Sequence, residues 1–418
     1  MSQAPNTVDR VALVFGASGI TGWAILREAL HPTNNPFRCI IGLSNHPIHP
    51  LQRLLPDRDG FTLASGVNLS AGVDEVTTKL SSIDNIGDVT DVFFAAYIQP
   101  PGTSDFEGYE VLKEVNVRIL ETAVLAVERL CPRLRFWSLQ TGGKSYGFTF
   151  IREIGLPKVP CDESDPRIAQ PFEDQVFYYA QSDALKRLSA GRRWRFTEIR
   201  PDLVIGFVPG GKNAMNFAQA LGLFLSFYTD REARGGAAGW KAIRFPGTVG
   251  SYNACHTEIG QETLARAHIY ASNLTTAPNG EIYNVGDSPP ITGLSWRDKW
   301  AALCGHFGLV GLGPPEEGEA IFSASGYMMQ HQSEWKGFEE KYSLLPSVIQ
   351  HTSWEFLDVL LSLAAFDRQY NLSKFAAAGF HERTDVAQNY FEAFQLMEDA
   401  KIIPRLSLLL SLHESVAV

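Results

Sequence analysis

Val11–Phe15, five consecutive apolar residues (VALVF), run straight into Gly16-Ala17-Ser18-Gly19-Ile20-Thr21-Gly22, and no other junction constrains the fold as strongly. A β-rich run that ends in glycines and is followed by Trp23, Leu26 and Leu30 at helical intervals, with Pro32 as a stop, describes a strand, a tight turn and a helix. In such a junction Gly16 permits the turn, Gly19 leaves room for a pyrophosphate to approach backbone N–H groups, and Gly22 lets the helix pack closely on the strand. Ser18 and Ile20 complete the candidate dinucleotide loop. A ligand-free turn could use the same glycines, so the flanking strand and helix carry the reading.

The alternation continues. Cys39–Leu43 and Val92–Ala96 are further short apolar runs, Leu134–Leu139 and Phe196–Arg200 complete the series of strands, and Leu112, Val115, Ile119 and Ala126 mark one face of a long helix. Repeated strand–helix units predict an α/β fold, a Rossmann-type doubly wound parallel sheet covered on both faces. Past Pro201 the punctuation changes, with PGGK and FPGTVGS, and from about residue 291 the pattern is mainly helical and rich in aromatics. The expected organisation is a dinucleotide-binding domain over 1–205, with 250–290 returning to it. A smaller, mainly helical substrate lobe over 206–249 and 291–404 and a C-terminal extension over 405–418 complete the chain.

The end of the second strand addresses the choice of cofactor. An NAD site usually places a carboxylate about twenty residues past the glycine loop, to hold the ribose 2′-OH. Here the segment reads Gly42-Leu43-Ser44-Asn45-His46-Pro47, with nothing to repel a 2′-phosphate. NADPH is the expected cofactor, with Ser44, Asn45 and His46 as hydrogen-bonding candidates and Arg38 as a substitute donor. Asn68 is read either as an adenine contact through its carbonyl oxygen or as a plain loop residue.

Two segments carry chemistry: residues 140–150, QTGGKSYGFTF, and 177–183, FYYAQSD. In most short-chain dehydrogenases a catalytic tyrosine and lysine share one helix as Tyr-x-x-x-Lys, but the fourth residue after Tyr179 is Asp183, and the nearby upstream lysine is Lys144. With IRPDLVIGFVPG at 199–210, AMN at 214–216 and NLSKFAAAGF at 371–380, this arrangement resembles the progesterone 5β-reductase and iridoid synthase-like (PRISE) family, an atypical branch of the extended short-chain dehydrogenases/reductases. The resemblance runs nearly the whole way to Pro404. It implies that Tyr179 donates to the substrate oxygen and that Lys144 lowers the phenol pKa and holds the nicotinamide ribose, both contacting cofactor. It also implies that Pro201 and Val204 flank the nicotinamide and that Phe150, Met215 and Asn216 line the substrate pocket. Two departures from the family pattern are Ser145, in place of histidine after the lysine, and Ser182, in place of glutamate before Asp183.

The implied activity is NADPH-dependent reduction of the C=C bond of an α,β-unsaturated carbonyl compound. Direct carbonyl reduction needs the same donor and stays open, and a non-catalytic NADP-binding regulator is the alternative of another class. Sugar epimerisation is disfavoured because its relatives normally carry the helix lysine.

Composition sets the remaining bounds on the 418 residues. A net charge of −10 without a Lys/Arg cluster argues against nucleic acid or an anionic membrane as partner. The longest apolar stretches, Ala220–Phe227 and Leu406–Leu412, are far short of the ~20 residues needed to span a bilayer, and residues 1–10 lack the apolar segment of a signal peptide. A cytoplasmic protein acting on a small-molecule enone or carbonyl compound is expected, with a homodimer as an open option. Cys39, Cys131, Cys161, Cys255 and Cys304 are scattered without C-x-x-C pairing, as reduced thiols are. The acidic loop Cys161–Pro166 reads as a solvated turn, so no metal is expected, and His256 reads as structural.

Overall fold

A computed structural model describes residues 9–32, 36–49, 53–103, 108–211, 213, 215–234, 241–289, 291–316 and 319–414. Strands β1 (Val11–Phe15), β2 (Cys39–Leu43), β3 (Phe61–Ala64), β4 (Asp91–Phe94), β5 (Phe136–Gln140) and β6 (Arg195–Arg200) belong to one seven-stranded sheet. Its other member is Glu281–Asn284, reached after two short strands, β7 (Leu203–Ile205) and β8 (Lys241–Arg244), and a third, β9 (Glu258–Gly260); it is therefore β10. The order is β10-β6-β5-β4-β1-β2-β3, all parallel.

Why the sheet is covered on both faces is visible in β1. Successive side chains alternate in a strand, and Val11, Leu13 and Phe15 join one buried cluster while Ala12 and Val14 join another. The second cluster takes α1 (Ile20–Ala29), the helix that follows the glycine loop. The first is closed by α2 (Val73–Ser81), α3 (Tyr109–Leu130) and α4 (Phe177–Ser189). On the α1 side lie also α5 (Phe217–Arg234) and α6 (Gln261–Asn273), whose Leu264, Ala265 and Ala267 are fully buried. The sheet order reverses between β1 and β4, the place where open α/β sheets bind ligands beyond their C-terminal strand ends.

Outside the sheet, two stretches of chain pack together. Strand β8 pairs in parallel with β11 (Leu309–Leu312), and Phe217 of α5 meets Trp296 at 5.4 Å and Tyr390 of α7 (Val386–Asp399) at 6.4 Å between ring centroids. His256 bridges to both Leu294 and Arg368. Residues Leu406–Glu414 form a further helix, packed against α5. Among the described residues no helix is long and apolar enough to cross a membrane.

Strand β3 was not visible in the sequence pattern. Its four residues are all only half-buried and it lies at the edge of the sheet, so it carries neither a continuous apolar run nor a strong alternation.

Candidate active site

The glycine loop leaves β1 at Gly16, whose φ of +84° is a region that favours glycine. A β-carbon there would lie 2.6 Å from the Ala95 carbonyl oxygen at the end of β4, and one on Gly22 would lie 2.1 Å from the Gly16 carbonyl oxygen. Gly19 differs: its nearest neighbour would be the Gly16 carbonyl oxygen at 3.3 Å. It is also the N-cap of α1, with an extended backbone, no side-chain cap and no acidic residue in the first turn. The helix therefore offers first-turn N–H groups and the positive end of its dipole at the switch point, with Ser18 and Ile20 half-buried beside them. Thr21 Oγ1 is buried here without a hydrogen-bond partner. This cradle fits a dinucleotide pyrophosphate.

At the end of β2, Asn45 and His46 are exposed. Ser44 is buried, and its hydroxyl donates to the His46 carbonyl at 2.8 Å, so it shapes the turn. Arg38 is in the wrong place for a 2′-phosphate donor. It precedes β2, at the opposite end of the strand, where it faces Asp88 at 3.1 Å and Asp9 at 3.8 Å. Asn68 is exposed and its side-chain oxygen accepts from the Ser70 N–H at 3.0 Å, capping the turn at 69–71.

The loop after β5 runs Thr141-Gly142-Gly143-Lys144. The Lys144 ammonium stands over the rings of Phe177 at 5.4 Å and Tyr97 at 5.9 Å. With Tyr109, Phe150 and Val176 it lines a small recess beside the N-terminus of α4. Phe150 is buried there against Tyr109 and Phe172, at 5.1 and 5.2 Å between centroids.

Tyr179 bonds to the backbone of the residue after Lys144. Its hydroxyl donates to the Ser145 carbonyl at 2.5 Å and accepts from the Ile168 N–H at 3.3 Å, and the Arg167 guanidinium lies over its ring at 4.8 Å. Arg167 also makes a two-pronged bridge to Asp183, at 2.6 and 2.8 Å. Residues 179 and 183 thus share one helix face, turned towards the 167–168 segment. Burial pushes the Tyr179 phenol pKa up, and the charges that oppose this shift are Arg200 and Arg167. The expectation that Lys144 lowers the pKa of Tyr179 is corrected accordingly.

Tyr178 occupies the other position. A β-carbon on Gly142 would lie 3.6 Å from the Tyr178 hydroxyl and 3.3 Å from the Pro201 carbonyl oxygen, so the three meet where β5 and β6 end. Its ring packs on Phe177 at 4.3 Å, the same Phe177 that lies beneath Lys144. Counted from Tyr178, the helix position four residues on is Ser182. Both phenols of FYY thus meet the segment that bears Lys144: Tyr179, the phenol expected from the sequence, at the Ser145 carbonyl, and Tyr178 at Gly142, beside the Pro201 strand end. On α4, Tyr178 shares a face with the buried Ser182 and Leu185, while Tyr179, itself buried, shares one with Asp183.

Pro201 is buried and Val204 half-buried on β7. Of the 214–216 motif, Ala214 lies outside the described residues. Met215 is exposed, whereas Asn216 is buried and accepts from the Gln219 N–H at 3.2 Å at the start of α5. His256 sits against Glu258 and Lys299, at 3.3 and 2.9 Å from its Nε2, all three buried. Burial and the Lys299 charge lower its pKa to about 4. Among the described residues no group of three or more His, Cys, Asp or Glu could hold a metal ion.

A family model for the PRISE-like Rossmann-fold domain matches residues 12–404. Short chain dehydrogenase sirQ of Leptosphaeria maculans is 33% identical over 398 residues, which cover 94% of this chain and 97% of that one. The (S)-8-oxocitronellyl enol synthase ISY1 of Nepeta racemosa is 25% identical over 409 residues, 96% of this chain and 95% of its own. Among solved structures, the UDP-glucose 4-epimerase of Thermus thermophilus in complex with NAD has a TM-score of 0.56 at 15% identity, covering 93% of this chain and 99% of that one, a likeness of fold. The match along nearly the whole chain shows that it belongs to the PRISE-like Rossmann-fold family of short-chain dehydrogenases/reductases.

Proposed function

We propose that this chain uses NADPH to reduce the C=C bond of an α,β-unsaturated aldehyde or ketone, with Tyr178 as the donor to the substrate oxygen and Lys144 as the accompanying charge. The observation that carries the reading is the seat of Tyr178 against Gly142 and Pro201, at the sheet's C-terminal edge and on the loop that bears Lys144. Gly16, Ser18, Gly19, Ile20 and Gly22 would hold the pyrophosphate, and Pro201 and Val204 would lie beside the nicotinamide. The exposed Asn45 and His46, with no carboxylate from Ser44 to Pro47, favour a 2′-phosphate.

When bound, NADPH supplies the hydride. Hydride arriving at the β-carbon moves negative charge onto the carbonyl oxygen, and the Tyr178 hydroxyl meets that charge as a fixed donor. Lys144 adds positive charge on the same loop, and Phe150 closes the apolar side of the recess. Met215, exposed above the start of α5, would contact substrate at the rim, while Asn216 holds that helix start in place. Solvent protonates the α-carbon.

Carbonyl reduction would use the same donor with hydride directed to the carbonyl carbon. Turnover with a deuterated NADPH donor and a panel of cyclic and acyclic enones tests the choice. Label at the β-carbon with the carbonyl retained is the expected product. Deuterium on the former carbonyl carbon would replace the reading with carbonyl reduction, and no transfer despite NADPH binding would replace it with a nucleotide-binding regulator.

A further inference from the structure

Thr141, Ser182, Glu198 and Arg200 are all buried, between 2% and 6% exposed, and they meet at one carboxylate. Glu198 lies on the face of β6 that looks towards α4. Its Oε1 accepts from Thr141 Oγ1 at 2.6 Å and from Arg200 Nε and Nη2 at 3.0 and 2.7 Å; its Oε2 accepts from Ser182 Oγ. A buried carboxylate is a costly way to fill space between a sheet and a helix, and well-packed apolar side chains would often be at least as stable. What the carboxylate provides is directional.

Each donor sits next to a part of the proposed active site. Thr141 immediately precedes Gly142 and Gly143, which have no side chains with which to fix the approach to Lys144. Ser182 is one helical turn beyond Tyr178, and Arg200 immediately precedes Pro201. Arg200 is itself held over the Tyr146 ring at 4.9 Å, two residues past Lys144.

We infer that Glu198 is a positioning residue of the active site: one buried carboxylate sets the relative placement of the Lys144 loop, the Tyr178 helix and the Pro201 strand end. The inference rests on the reductase reading for its kinetic consequence but not for its geometry. Burial pushes the Glu198 carboxyl up, yet the Arg200 charge and the Ser182 and Thr141 hydroxyls outweigh this and hold it below the usual range, so it stays ionised.

Thr141→Val is the informative variant, because it keeps volume and leaves the Glu198–Arg200 pair intact. Thr141→Ser is its rescue and Glu198→Gln the stronger lesion. Thr141→Val should lower kcat about tenfold with NADPH affinity near wild type and a modest drop in melting temperature, because the buried Glu198 carboxylate loses one donor, and Thr141→Ser should recover most of both losses. Amide hydrogen exchange, which needs no substrate, should speed up over residues 141–147 in Thr141→Val and Glu198→Gln and return towards wild type in Thr141→Ser. Wild-type exchange over 141–147 in Thr141→Val would overturn the inference, as would wild-type kcat in that variant. If the wild-type protein reduces none of the panel, the reductase reading fails, and the exchange result still decides whether Glu198 anchors the loop.

Discussion

Tyr178 and Tyr179 are neighbours on one helix, yet their hydroxyls serve different surroundings. The Tyr179 hydroxyl is bonded to the Ser145 carbonyl at 2.5 Å, while that of Tyr178 lies against Gly142 where β5 ends. Removing each oxygen therefore has separate consequences. Tyr178→Phe should lower kcat on the order of 10²–10³-fold, the usual cost of an oxyanion donor, with little change in melting temperature. Tyr179→Phe should keep most activity and lose about 1–3 kcal/mol of stability, because the buried Ser145 carbonyl loses its donor. Steady-state kinetics and thermal melts on the two variants check both; greater kinetic damage from Tyr179→Phe would return the catalytic role to that residue.

Gly19 and Gly22 separate binding from folding. An added β-carbon at 22 meets backbone at 2.1 Å, so Gly22→Ala should express poorly or melt well below wild type. At 19 the nearest atom is 3.3 Å away, so Gly19→Val should fold and lose NADPH affinity by at least tenfold, since the side chain stands where the pyrophosphate must come. Fluorescence titration with NADPH alongside circular dichroism melts distinguishes the two outcomes.

Cofactor preference is testable at an exposed position. Asn45→Asp should weaken NADPH on the order of tenfold and spare NADH, because a carboxylate faces the 2′-phosphate in one case and the 2′-OH in the other. Competitive titration of the wild type should show NADPH the tighter of the two. Equal affinities in the wild type would remove the argument built on Ser44–Pro47.

Stability should fall on mild acidification. His256 and His268 are buried, and burial lowers their pKa values to about 4 and about 3 from 6.5, with Lys299 adding to the effect at His256. Between pH 6.5 and these values the unfolded chain binds protons that the folded one refuses, so stability rises with pH and drops as pH falls. The slope approaches about 1.4 kcal/mol per pH unit for each histidine. Urea denaturation from about pH 7 to about pH 5 measures it; His306, also lowered by burial, adds to the slope, and His268→Gln, which removes the imidazole beside Ser138, should shallow it.

The sheet and the glycine loop were legible because each is a local pattern: β1, β2 and the turn at Gly16 can be read from adjacent residues. The family was legible because its motifs are spread along the chain. The phenol that lies against Gly142 and Pro201 was not, since choosing between Tyr178 and Tyr179 requires knowing which face of α4 meets β5 and β6. Arg38 misled for a related reason: proximity to β2 in sequence does not say which end of the strand it occupies. Glu198 was invisible because its three partners come from positions 141, 182 and 200, and a glutamate in a strand that reads RFTEIR announces burial only once the helix above it is placed.

The pairing of β8 with β11, and of Phe217 with Trp296 and Tyr390, has a consequence for recombination between relatives. The layer outside the sheet is stitched from two stretches of chain separated by β9, α6 and β10, so a chimera that imports only one stretch strands an unpaired β8 or an orphaned Phe217. Transplanting a relative's specificity onto this scaffold requires both stretches to be moved together, with the intervening return to the sheet left native.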